Sequence, residues 1–174
     1  MPGSSEGSTL DFRLRAFVSM TARLLALAAW VIASPASAQA TLVEDEGAKE
    51  RLLGEHVFNL QWIDHPPGVA KVADRGGGEL YLSAEQRDEK KGDYAVIKGR
   101  VLRITAKTFV IEGEVVTRVD HMAKGKACAR SGTWTFRITG SRPYWRLKEM
   151  LNPCEGENTV DYLDVYFARP TAAK

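Results

Sequence analysis

The sequence predicts an all-β fold: an eight-stranded antiparallel up-and-down barrel preceded by a short N-terminal helix. Three observations point to it. From His56 onward, apolar and polar residues alternate over short stretches, the period of a strand with one dry face. Turn signals rich in Gly, Pro and Asp separate those stretches, and no long amphipathic pattern interrupts them. Two glycines, Gly99 and Gly113, fall inside the two longest stretches, where a glycine lets a strand bend at a barrel corner.

The elements follow in order. Thr41 to Gly54 is charged and partly helical in period, and Gly54 is its stop. In the next stretch Phe58, Leu60 and Trp62 share a face. Pro66-Pro67-Gly68 turns the chain into a short apolar strand, Val69 to Val72. The triple glycine Gly76 to Gly78 leads into Glu79-Leu80-Tyr81-Leu82-Ser83, and a charged hairpin loop follows. Tyr94 to Ile104 and Thr108 to Asp120 are the two long strands. In the second, Phe109, Ile111, Val115 and Val119 keep one parity across Gly113, which indicates a bend rather than a bulge. Trp134, Phe136 and Ile138 alternate with threonines and Arg137 in the next strand. The last two strands run from Tyr144 to Leu151 and over Val160 to Ala168, with Trp145, Leu147 and Leu151 expected in the core.

The N-terminus reads as an export leader. Leu24 to Ala33 is an apolar run too short for a membrane span, which takes about 20 residues. Ala36-Ser37-Ala38 fits the small-x-small pattern of signal peptidase, so residues 1–38 are expected to be removed, with Met20 a possible true start. Residues 39–174 then form a single barrel domain, periplasmic or secreted, with no transmembrane segment. The 24 basic and 22 acidic residues nearly balance, which argues against a phosphate-binding surface and hence against nucleic acid. The cluster Lys98, Arg100 and Arg103 reads as a solvated face. Cys128 and Cys154 are the two cysteines, and an exported chain is expected to join them in a disulfide.

An exported chain with a short helical arm, the Leu52-Leu53-Gly54 lead-in and eight up-and-down strands resembles the lipocalin and calycin barrels over residues 52–168. The Gly-x-Trp signature of lipocalins is spelled here only at Gly132-Thr133-Trp134, mid-chain, so the resemblance implies architecture and no ligand.

Motifs of catalysis are sparse. His56, His65 and His121 lack metal-ligand spacing, and Asp120 and His121, as strand neighbours, should point to opposite faces. No nucleophile elbow or phosphate loop appears in the sequence, and no metal or cofactor is expected. Two carboxylate pairs occur, Asp161/Asp164 and Glu112/Glu114, and the second, on the polar face of one strand, reads as a solvated face rather than acid–base machinery. The informative feature is the final hairpin. With Trp145 and Leu147 inward, Tyr144, Arg146, Tyr162, Asp164 and Tyr166 share the opposite face, a composition favoured at binding surfaces. Three readings follow. A non-enzymatic barrel that binds a small apolar ligand in its lumen, or an envelope partner on this face, predicts a lumen with unfilled volume. A small inhibitor or accessory protein acting only through protein–protein contact predicts a lumen plugged by Phe58, Trp62, Trp134 and Phe136. An enzyme needs Arg146, Tyr162 and Asp164 converging in a cleft.

Overall fold

The computed structural model of the chain describes residues 39–64, 66–156 and 158–167. The expected leader, residues 1–38, and His65 lie outside the described residues. Nine strands and one α-helix follow in order: β1 (Leu42–Val43), α1 (Glu46–Leu52), β2 (Gly54–Leu60), β3 (Gly68–Asp74), β4 (Leu80–Asp88), β5 (Asp93–Ile104), β6 (Thr108–Arg118), β7 (Cys128–Arg137), β8 (Tyr144–Leu147) and β9 (Leu163–Tyr166). From β2 to β9 each strand pairs antiparallel with the next, and β9 returns to β2. The predicted eight-stranded up-and-down barrel with its short helix is the fold observed.

Helix α1 forms where the sequence expects it. Asp45 caps its start by accepting from the Ala48 amide at 2.7 Å, with Glu46 in the first turn and Lys49 and Arg51 in the last, each charge opposing the helix dipole. Ala48 and Leu52, four residues apart, share a face and join the barrel core. Gly54 then leaves at φ +101°, a backbone that only glycine takes without strain.

The interior is filled. Phe58, Leu60, Leu82, Ile97, Phe109, Ile111, Phe136 and Leu147 are fully buried. The Phe109 and Phe136 rings stack at 4.7 Å, and Trp145 meets Phe109 edge-on at 5.6 Å. Trp134 is buried as well, whereas Trp62 is only half-buried. Gly99, Gly113 and Gly132 stand in register across β5, β6 and β7. A Cβ at Gly113 would fall 2.1 Å from the Lys98 carbonyl oxygen, so the two long strands approach too closely there for any side chain. Pairing runs unbroken through that point. The register shift lies further on, between Val101 and Arg103.

Two expectations need correction. Strand β8 ends at Leu147, and Leu151, expected in the core, is 53% exposed and makes only an isolated bridge to Val160. The chain leaves the barrel after Leu147 to reach Cys154, so parity no longer governs it. Asp120 and His121 do not point apart. They lie beyond the end of β6, and His121 Nδ1 stands 2.9 Å from Asp120 Oδ1. That hydrogen bond holds the Asp120 carboxyl below its ordinary range. Asp161 is fully buried and ion-paired to Arg130 at 2.8 Å.

That pair belongs to a polar layer at the barrel end opposite α1. Arg130 lies on the inward parity of β7, level with Val115, and donates to Asp161 and to the Leu151 carbonyl. Thr117 and Asn152 also donate to Asp161. Burial pulls the Arg130 guanidinium below its ordinary pKa, against the opposing pull of Asp161. Among the described residues its Nε is buried without a partner. The Cys128–Cys154 disulfide ties the same end together.

The N-terminal arm completes the wall. Strand β1 pairs parallel with the last residues of β5, beyond the point where β4 and β5 part. The buried Thr41 hydroxyl donates to the Val101 carbonyl at 2.7 Å and accepts from the Leu80 amide at 3.0 Å. One side chain thus satisfies a backbone group on each of two separating strands.

Candidate functional site

All five residues expected on the last hairpin come together on its outer side. The register places Tyr144 opposite Tyr166 and Arg146 opposite Asp164, as cross-strand neighbours of β8 and β9. The short β8 suffices because both strands are held on their far sides, by β7 and by β2.

Arg146 is the centre. Its Nε and one Nη reach the two oxygens of Asp164 at 2.7 and 2.6 Å, a forked ion pair. Those hydrogen bonds hold the guanidinium above its ordinary pKa, against partial burial. The guanidinium carbon stands 4.3 Å from the Tyr162 ring centre and 5.2 Å from that of Tyr144. Tyr144 in turn meets Tyr166 at 5.0 Å. The three tyrosines and Arg146 are half-buried, while Asp164 is only 3% exposed although its parity is outward. Arg146 therefore covers its partner, and the carboxylate serves to orient the guanidinium.

The face extends further than the sequence suggested. Val57 is 45% exposed and Val69 55% exposed, and the two pair across β2 and β3. Val57 precedes Phe58, and Tyr166 follows the Val165 that pairs with Phe58, so Val57 and Tyr166 are neighbours on one side of the wall. Tyr144, Tyr166, Val57 and Val69 thus form a row across four adjacent strands. The signal was present in the outward parity of Val57 and Val69, but only the closure of β9 onto β2 joins that pair to the tyrosines.

Both Asp164 oxygens are engaged by Arg146, and among the described residues no hydrogen bond links the Tyr162 hydroxyl to either group. The cluster Lys98, Arg100 and Arg103 is a solvated face, in which Arg100 pairs with Glu112 at 2.9 Å and Arg103 with Glu44 at 2.7 Å.

The Tyr166 phenol provides a pH handle. Burial raises its pKa above 10.0, helped by the Asp164 charge and by Tyr144, with Arg146 opposing. A raised folded value means that the contribution to stability is whole below the unfolded value, about 10. It is lost as pH climbs through the folded value. Tyr166→Phe should remove a late-ionising phenol from the phenolate absorbance titration and soften the alkaline loss of stability. An absorbance curve that loses only a phenol of ordinary pKa contradicts this assignment.

Fold and surface together define the class: a small closed antiparallel β-barrel, filled inside, with an aromatic and guanidinium row on its outer wall. The chain belongs to the PM1083 family, whose model matches residues 40–167. A relative described as "Uncharacterized protein PM1083", from Pasteurella multocida (strain Pm70), is 42% identical over 120 residues, which cover 68% of this chain and 75% of the relative. No solved structure matches the chain.

Proposed function

We propose that this protein is an exported, non-enzymatic barrel that docks an envelope protein through the row Tyr144, Tyr166, Val57 and Val69, with Arg146 at its edge. The observation that carries the reading is the contrast between the two sides of the wall. The inside is packed with fully buried apolar and aromatic side chains, whereas the outside carries partly exposed aromatics and valines in one row. The likeness to lipocalin and calycin barrels is therefore one of architecture, and the carrier reading loses the open lumen it requires. Export is supported by the Ala36-Ser37-Ala38 pattern, by a disulfide, and by a family match that begins at residue 40, just past the expected cut. In this reading residues 1–38 are the removed leader and residues 39–174 the working domain. Among the described residues no helix is long and apolar enough to cross a membrane.

Native mass spectrometry of protein purified from its own envelope tests the reading. The expected result is a complex with a second protein that is lost in Tyr144→Ala/Tyr166→Ala while the variant barrel stays folded. A co-purified small molecule in place of a protein restores the carrier reading. A protein complex that survives both substitutions removes the tyrosine face.

A further inference from the structure

The sequence around the expected cut, Ala36-Ser37-Ala38 followed by Gln39, has a chemical consequence. Cleavage after Ala38 makes Gln39 the first residue, and an N-terminal glutamine holds an amine and a carboxamide at the spacing of a five-membered ring. The fold places that residue with care. Thr41, two positions on, is buried and bonded to both Val101 and Leu80, so the two preceding residues cannot wander far from the wall. They line an open hollow of about 220 Å³ with Arg100, Leu102 and Glu112. Within it Arg100 Nη1 stands 3.5 Å from Gln39 Oε1, while Arg100 Nη2 is fixed by Glu112 at 2.9 Å.

We propose that Gln39 is a modification site, closing after leader removal to a pyroglutamate lactam whose carbonyl oxygen is held by Arg100. This inference rests on the export reading above. The α-amine nitrogen attacks Cδ of its own side chain, and negative charge gathers on Oε1, where the guanidinium already donates. The new bond is Nα–Cδ. The Cδ–Nε bond breaks, one amine hydrogen passes to the departing nitrogen, and ammonia leaves. No oxidant or co-substrate is needed. An α-amine ordinarily titrates at about 7.7–8.0, so a usable fraction is neutral near pH 7. The product suits its surroundings, since a neutral lactam replaces an ammonium that would share the hollow with Arg100. It also denies aminopeptidases a free end two residues from the Thr41 anchor.

Intact-mass measurement on the processed protein, followed over time at neutral pH, tests the proposal. The expected species is residues 39–174 lighter by one ammonia, blocked to stepwise N-terminal degradation until pyroglutamyl aminopeptidase excises the lactam and frees the amine of Ala40. Arg100→Met should slow the mass loss roughly tenfold, since the donor acts here in an open hollow rather than a dry one. A stable mass for unmodified residues 39–174 overturns the lactam while leaving export standing. Equal rates for the wild type and Arg100→Met overturn the part given to Arg100. A chain that begins at any other residue overturns the export reading and this inference together, which separates the two kinds of failure.

Discussion

Asp161→Ala should be among the most damaging single changes in the protein, costing about 3–5 kcal/mol, because it strands a buried guanidinium. Asp161 is fully buried and receives Arg130, Thr117 and Asn152. Among the described residues, Arg130 without it keeps only the Leu151 carbonyl as an acceptor, and its Nε already lacks a partner. Arginine cannot shed its charge to escape the cost. Thermal unfolding should move down by roughly 10–20 °C. The double variant Arg130→Met/Asp161→Asn should recover most of the loss, since removing both charges also removes the burden of desolvating them. A single variant within about 1 kcal/mol of the wild type in denaturant titration contradicts this account of the layer.

Opening the disulfide should be nearly as costly. Cys128 and Cys154 are 26 residues apart, and releasing a loop of that size destabilises the fold by about 3.5 kcal/mol in the chain-entropy description. Cys154 lies at the surface, within reach of a soluble reductant. Reduction, or Cys128→Ser, should lower the melting temperature while the far-ultraviolet circular dichroism at room temperature keeps its strand signature. Thiol titration that finds two free sulfhydryls in native protein removes the bond altogether. The two predictions concern one region. The disulfide tethers the segment carrying Asn152 to β7, which carries Arg130, so reduction should loosen the polar layer too and the two effects should not add.

Alternation carried most of the fold into view. Phe58 and Leu60, Phe109, Ile111, Val115 and Val119, and Trp134 with Phe136 all lie inside, as their parity requires. Gly99 and Gly113 read as a bend, and the structure adds that β5 and β6 approach there too closely for a Cβ. Local pattern failed where the decisive contact is remote in sequence. Arg130 and Asp161 are 31 residues apart, and neither stretch alone reveals that an arginine on an apolar parity has a carboxylate waiting inside the barrel. Leu151 failed for a different reason: the chain had already left its strand. The candidate face was legible in its five hairpin residues, because two neighbouring strands suffice to assemble them. Its valine half was not, because Val57 joins Tyr166 only through the return of the final strand to the first.

That return also fixes the order of events in biogenesis. β2 finds its second neighbour only when β9, close to the C-terminus, has been delivered. A chain emerging from a ribosome or a translocation pore therefore cannot seal its cylinder halfway through. Until the tail arrives, two unsatisfied strand borders remain open to foreign strands. Such long-range closure is slow compared with helix formation. A chain whose borders stay open until its last residues are released would depend on holdase protection during that interval.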